Sequence, residues 1–216
     1  MTTSTHKIRT AAAVLATLVA LAVPAAAQTT GGIYTITGGT SGQQATVRAA
    51  LNVTTFNWSC VPGTIRITIV AGADTQAAPG AILLDANLLD AGTFSWGIVQ
   101  HEYAHQVDWY LLRPETRTAL AKVLGGSTWG VGITGGANVA HDSLTGERFA
   151  SELAYAFWPS TNNAIEPFGK LTPKAFRALL GSLLKPRTAA PTIVAATTPI
   201  AATAAAPAAI ITPEAK

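Results

Sequence analysis

The chain has 216 residues, of which 49% are hydrophobic and only 12% are charged, so it can bury a core but suffices for only one globular domain. Its 14 Lys and Arg exceed its 11 Asp and Glu, yet Lys7 and Arg9 lie in a segment that we expect to be removed. Without a Lys/Arg cluster, the sequence does not favour nucleic acid as a partner. The single cysteine, Cys60, excludes an intramolecular disulfide framework and a zinc site built from several thiolates, and we expect it to be a small buried side chain. Any metal must therefore bind to His and carboxylate side chains.

Residues 1–27 have the organisation of a secretory signal peptide. A short polar stretch with Lys7 and Arg9 is followed by an apolar run that ends in three alanines at Ala27. This run is interrupted by Pro24 and is shorter than the roughly 20 apolar residues that a spanning helix needs. We therefore predict export, cleavage near Ala27, a secreted mature protein and no stable membrane span after cleavage.

The C-terminal end differs in composition from the rest of the chain. From Thr188 to Pro213 no residue is charged, and Ala, Thr and Pro predominate. This composition predicts a disordered or polyproline-like tail over residues 186–216. The folded domain is then expected to span residues 28–185.

Strands are predicted in the first half of this domain and helices in the second. Thr64–Val70 alternates apolar and polar residues, Ala81–Asp85 follows a Gly/Ala/Pro loop, and residues 33–37 form a weaker third strand. From Ser95 onward the apolar spacing is helical, which favours an α+β domain. The predicted helices are Ser95 to Leu112, Pro114 to Gly125, Glu147 to Trp158 and Pro173 to Leu184.

The sequence His101-Glu102-Tyr103-Ala104-His105 lies at the centre of the first predicted helix. Spacing of four residues puts both imidazoles on one helix face, where two nitrogens can reach one zinc ion at roughly 2.0–2.1 Å. Glu102 is rotated away from that line, towards an open zinc position. Zinc lowers the pKa of a bound water to about 7, and a nearby carboxylate can take its proton. The motif therefore predicts one zinc ion per chain and metal-assisted hydrolysis.

This motif resembles that of the HExxH zinc metallopeptidases, called zincins, with looser resemblance over about residues 60–160. The resemblance implies that His101 and His105 bind zinc and that Glu102 is the general base. Metzincins continue with a Gly and a third His. This chain has Asp108 and Leu111 at those offsets, which excludes that subgroup.

Gluzincins instead take their third zinc ligand from a Glu on a later helix. The segment from Glu147 to Glu152 is similar to the Glu-x-Phe-Ala segment of secreted bacterial metallopeptidases of the anthrax lethal factor type. Glu147 occupies the Glu of that pattern, and the helix dipole also favours a Glu in the first turn. Glu152 is the alternative ligand, but it lies about 140° further around the helix, so both cannot face one zinc unless the helix is distorted. His141, in a Gly-rich loop, is the remaining candidate.

Three further side chains are candidates for contacts around the metal. His141 can contact substrate or stabilise an oxyanion, and a solvated loop histidine is the favoured alternative. Asp108 follows the second histidine by three residues and can hydrogen-bond a ligand imidazole or anchor the loop beneath it, and a salt bridge to Arg113 or Arg117 is the equal alternative. Tyr155 can donate its hydroxyl to a tetrahedral intermediate, as tyrosines do in several zincins, or pack in the core.

We therefore expect a secreted zinc-dependent metallopeptidase with a gluzincin-like α+β fold: a small N-terminal sheet, an active-site helix and a helical C-terminal lobe. The resemblance implies that an extended peptide or protein substrate pairs with a sheet edge, where we expect the strand Ala81–Asp85. One alternative is a secreted binding or cell-envelope protein that holds zinc without turnover. The other is a zinc amidase that acts on cell-wall peptides, which uses the same zinc-activated water as proteolysis.

Overall fold

A computed structural model describes residues 32–130 and 140–184 of the chain. The predicted signal peptide, the predicted C-terminal tail and most of the Gly-rich loop before His141 lie outside the described residues. The described part has an α+β fold with a four-stranded sheet and six α-helices. This confirms the predicted α+β class.

The sheet contains three parallel strands and one antiparallel strand. The strands occur in the order β1-β2-β4-β3; β1, β2 and β4 are parallel, and β3 is antiparallel to β4. Side chains of β2 alternate between buried and exposed, as the apolar alternation of its sequence predicts. The strands are β1 (Tyr34–Gly38), β2 (Ile65–Val70), β3 (Gln76–Ala78) and β4 (Ala81–Asp85).

The predicted position of the Ala81–Asp85 strand was wrong. This strand, β4, is interior, because Ile82 pairs with Ile67 of β2 on one side and with Ala77 of β3 on the other. The Gly/Ala/Pro segment that we assign to a loop contains β3, which then turns back at Gly80. That turn has a positive φ of 76° at Gly80, a conformation that favours glycine. The edge strand on this side of the sheet is therefore β3.

Helix α1 (Ser41–Val53) separates β1 from β2 and is not predicted from the sequence. Its start is a capping box: Thr40 Oγ1 accepts a hydrogen bond from the Gln43 N–H, and Gln43 Oε1 accepts one from the Thr40 N–H. Adjacent parallel strands require a crossover connection, which α1 provides. The expectation that all strands precede all helices was therefore wrong, although the fold class is unchanged.

The four helices that follow Ser95 agree with the four predicted helices to within two residues. Ser95 precedes the first of them, but its hydroxyl donates to Gly92 O and does not cap the helix. None of the helices in residues 32–130 and 140–184 combines the length and the hydropathy that a membrane-spanning helix requires. The helices after β4 are α2 (Ala86–Leu89), α3 (Trp96–Leu111), α4 (Pro114–Leu124), α5 (Thr145–Phe157) and α6 (Pro173–Leu183).

Helix α3 lies at the centre of the fold. It packs against α1, against α5 and against the β3 and β4 strands. Its apolar side chains Val99, Tyr103 and Val107 are fully buried in the core, where Tyr103 contacts the Trp58 ring at a centroid distance of 5.0 Å. The helix that carries the His-Glu-His motif is therefore held on several sides by the rest of the domain.

Candidate metal site

The two histidines of the motif lie on one buried face of α3. His101 is 5% exposed and His105 is 4% exposed. Their Nε2 atoms are 3.3 Å apart, and their rings are nearly perpendicular, at 87°. Because residues four apart lie one turn apart on a helix, α3 itself brings the two nitrogens together.

Two buried glutamines fix α3 relative to its neighbours. Gln100 Nε2 donates to Ala50 O of α1 at 2.8 Å. Gln106 Nε2 donates to Ala78 O at 2.9 Å, and Gln106 Oε1 accepts from the Gly80 N–H at 2.8 Å. Gln106 therefore ties the motif helix to the turn that joins β3 to β4. We do not predict these roles from the sequence, because they depend on partners that are remote along the chain.

Glu147, in the first turn of α5, completes a group of three possible metal ligands. Its Oε2 atom lies 3.1 Å from His101 Nε2 and 3.2 Å from His105 Nε2. The three ligand atoms lie within 4.8 Å of one another, and all three residues are buried. Four ligands at roughly 2.0–2.1 Å around a tetrahedral zinc ion would be about 3.3–3.4 Å apart. The buried group His101, His105 and Glu147 can therefore hold a metal ion.

The charge of Glu147 is set by the imidazoles around it. Burial by itself raises the pKa of this carboxyl, but contacts with His101, His105 and His141 outweigh burial and hold the pKa well below its usual range. Glu147 is therefore ionised, which is the form that a metal-binding carboxylate needs.

Ser151, one turn after Glu147 on α5, contacts the other side of the His101 ring. Its Oγ atom lies 3.1 Å from His101 Nδ1. When Nδ1 carries the proton and donates to Ser151 Oγ, His101 Nε2 keeps its lone pair available for a metal ion bound between it and Glu147. Such contacts orient ligand imidazoles in metal sites. The only sequence signal for this contact is the four-residue spacing from Glu147.

Glu102 lies beside this group without belonging to it. Its side chain lines a cavity of about 610 Å³ together with His101 and His141, and the residue is 8% exposed. Burial raises the pKa of Glu102 to about 7. The nearby His101 lowers this pKa, and the carboxylate of Glu147 raises it. A carboxyl with a pKa near neutrality is suited to accept and then release a proton.

His141 lies at the cavity mouth, in a 3-10 turn just before α5. Its Nε2 atom is 3.0 Å from Glu147 Oε2, and its side chain is 65% exposed. Its ring stacks on that of His101 at a centroid distance of 6.1 Å. The hydrogen bond with Glu147 raises the pKa of His141. His141 can therefore reach a molecule in the cavity as well as the proposed ligand group.

Glu152, the alternative third ligand, lies in a different environment. Its side chain is fully buried, and its Oε2 atom accepts a hydrogen bond from the Gly169 N–H at 2.9 Å. Burial raises the pKa of its carboxyl. Of the two glutamates, the structure therefore brings Glu147 and not Glu152 to the histidines.

Asp108 forms the salt bridge that we consider as its alternative role. Its Oδ1 atom accepts from Arg117 Nε at 2.7 Å, and its carboxylate also accepts from Trp129 Nε1 at 3.0 Å. Asp108 thus holds the side chain of Trp129, and within the described residues no hydrogen bond or ion pair joins the Asp108 carboxylate to an imidazole.

Tyr155 and Cys60 are not part of the site. Tyr155 is half-buried on α5 and is not among the residues that line the cavity beside Glu102. Cys60 is exposed, not buried as expected, because the 3-10 turn that contains it directs Trp58 into the core instead. Partial desolvation raises the pKa of the Cys60 thiol to about 11.

Comparisons of the chain with protein families, with characterised proteins and with solved structures found no match. Functional inference therefore depends on the arrangement of the site itself.

Proposed function

We propose that the protein is a secreted zinc-dependent hydrolase that cleaves peptide bonds, with a gluzincin-like active site. One observation carries the proposal. Two imidazoles and one carboxylate converge in a buried group, and a second carboxylate, Glu102, lines the adjoining cavity outside that group.

The donor set supports zinc and an open coordination position. Two His nitrogens and one carboxylate oxygen are ligands that zinc prefers, and three protein ligands are typical of catalytic zinc sites, whereas structural sites usually have four. Among the described residues, the group consists of His101, His105 and Glu147. The binding-protein alternative is less well supported, because it gives Glu102 no role.

In the proposed reaction, Glu102 acts as the general base and then as the general acid. A bound zinc ion would supply Lewis-acid polarisation of the substrate carbonyl and acidification of the attacking water. The carboxylate of Glu102 accepts a proton from that water as its oxygen bonds to the carbonyl carbon. Glu102 then delivers the proton to the amide nitrogen as the carbon–nitrogen bond breaks. Its position in the cavity, outside the group of three ligands, allows both transfers.

Two other features favour an extended peptide as the substrate. Ala73, Asp74 and Thr75, which lead into the edge strand β3, line the cavity beside Glu102. An edge strand can bind an extended chain by main-chain pairing. The imidazole of His141 would donate to the substrate carbonyl oxygen as negative charge develops there.

We propose from the predicted signal peptide that this activity is exported, so extracellular proteins and cell-wall peptides are both candidate substrates. The test is a metal analysis of the secreted chain combined with assays on a mixed peptide library and on cell-wall peptides. We expect one zinc per chain and cleavage that a chelator abolishes. Stoichiometric zinc without cleavage of either substrate would support the binding-protein alternative instead.

A further inference from the structure

The connection between α5 and α6 forms one wall of the cavity. We call its residues 164–168 the cavity wall. Asp74 and Thr75, which precede β3, and the motif residues His101 and Glu102 of α3 line the same cavity. The cavity-wall residues that line the cavity are Ala164, Ile165, Glu166 and Phe168.

The carboxylate of Glu152 holds the C-terminal end of the cavity wall. Its Oε2 atom accepts from the Gly169 N–H at 2.9 Å, and the backbone of Phe168 also hydrogen-bonds to the carboxyl. Gly169 packs closely on this carboxylate: a Cβ atom there would lie 3.0 Å from Glu152 Oε2. The wall therefore rests directly on α5 at this point.

The side chain of Asn163 holds the other end of the wall. Its Nδ2 donates to Trp158 O at 3.0 Å, and its Oδ1 accepts from the Ile165 N–H at 3.0 Å. It also packs on Gly97 of α3, where any side chain would collide with Asn163 Oδ1. The cavity wall is thus held at both ends by hydrogen bonds, through the amide of Asn163 at one end and the carboxylate of Glu152 at the other.

The burial of Glu152 beside this loop costs free energy. Its side chain is fully buried, its Oε1 atom has no hydrogen-bond partner, and none of the salt bridges of the described residues includes it. A buried carboxyl oxygen without a partner costs free energy. Within the described residues, the hydrogen bonds that compensate this cost all go to the segment that ends the cavity wall.

We propose that Glu152 is a positioning residue for substrate binding, which holds residues 164–168 against the cavity through its hydrogen bonds to Phe168 and Gly169. This inference rests on the proposed function, since it assigns the wall to substrate contact. Helix α5 then has two roles: Glu147 in its first turn for the metal, and Glu152 five residues later for the substrate-binding wall.

Four variants test the proposal. E152A removes the acceptor, and E152Q keeps an oxygen that can accept from the Gly169 N–H. G169A forces a Cβ against the same carboxylate from the loop side, without altering α5. G181A is the matched control, because a Cβ at Gly181 on α6 meets no atom within 4 Å.

We expect E152A and G169A to raise KM for a peptide substrate about tenfold, which corresponds to the loss of one or two hydrogen bonds. The kcat of both variants should stay within about twofold of wild type. E152Q and G181A should keep the wild-type KM. Hydrogen exchange at residues 164–169 should be at least roughly tenfold faster in E152A and G169A than in wild type, with α3 unaffected. Zinc content should be unchanged in all four.

An unchanged KM in both E152A and G169A, or equal KM in E152A and E152Q, would overturn the proposal while leaving the proposed function intact. Zinc loss in E152A would also overturn it, since Glu152 would then act on the metal. A wild-type protein that neither cleaves peptides nor binds a labelled peptide overturns the proposed function itself, and the inference with it.

Discussion

The two buried glutamates of α5 show how strongly local environment decides what a carboxylate does. Glu147 lies among three imidazoles, which hold its pKa well below the usual range. Glu152, five residues later, has backbone N–H groups as its partners and a raised pKa caused by burial. The same residue type on the same helix is therefore suited to bind a cation at one position and to anchor a loop at the other.

This difference follows from which faces of α5 meet α3. Residues separated by four on α5, Glu147 and Ser151, both contact His101. Glu152 is rotated away from that face and meets the α5–α6 connection instead. The helical spacing of α5 thus assigns Glu147 to the metal group and Glu152 to the cavity wall, and the variants below test this assignment.

The largest expected effect is loss of the metal when a ligand histidine is removed. We expect His105→Ala to lose zinc and all activity, because two remaining ligands hold zinc weakly. His141→Ala is the matched control: its ring contacts Glu147 but lies outside the group of three, so zinc should remain. Metal analysis by mass spectrometry measures both. Stoichiometric zinc in His105→Ala would show that the site is assigned wrongly.

The next largest expected effect is a fall in turnover without loss of zinc. Glu102→Gln keeps the size of the side chain but removes the base, so turnover should fall by a factor on the order of a hundred or more while zinc is retained. Glu115→Gln, which changes an exposed carboxylate on α4, is the control. Steady-state kinetics measure the difference. Wild-type turnover in Glu102→Gln is incompatible with the proposed mechanism.

A smaller effect is expected at Ser151. Ser151→Ala removes the partner of His101 Nδ1, and loss of such a contact typically weakens zinc binding by about tenfold. Ser182→Ala, which removes an exposed hydroxyl on α6, should leave zinc affinity unchanged. Competition with a chromogenic chelator measures the affinities. Equal affinities in the two variants would mean that Ser151 does not orient the ligand.

The smallest effect concerns stability at Glu152. Burial raises its folded-state pKa above the unfolded value, so the folded state is favoured most below the unfolded pKa, and that contribution is lost as pH rises through the folded pKa. Gln cannot ionise, so Glu152→Gln should gain stability relative to wild type between pH 4 and pH 8. Urea unfolding at both values measures this. The opposite sign would show that Glu152 is stabilised as a carboxylate.

The sequence predicts the parts of the site that depend on local spacing. The four-residue spacing of His101 and His105 suffices to place two imidazoles on one face, and apolar periodicity identifies α3 to α6. Glu147 has no local signal that pairs it with α3; it is predicted through a family resemblance, with support from its place in the first turn of its helix. The partners of Asp108 and Ser151 depend on how distant segments pack, which spacing does not encode.

Weak local signals also explain why the predicted sheet differs from the observed one. Strand β3 has only three residues, in a Gly/Ala/Pro-rich segment that carries no clear alternation, so β4 is misplaced at the edge. Helix α1 does carry signals, a capping pair at Thr40 and Gln43 and apolar residues at helical spacing. Those signals are available in the sequence, and the expectation of an all-strand N-terminal half obscures them.

The most direct test of the central claim is the zinc content of Glu147→Gln and Glu152→Gln, measured side by side on the secreted protein. We predict that Glu147→Gln binds zinc at least roughly tenfold more weakly than wild type, and that Glu152→Gln retains one zinc per chain with unchanged affinity. Zinc lost from Glu152→Gln but retained by Glu147→Gln would contradict the account, because it would move the third ligand to the face of α5 turned away from the histidines.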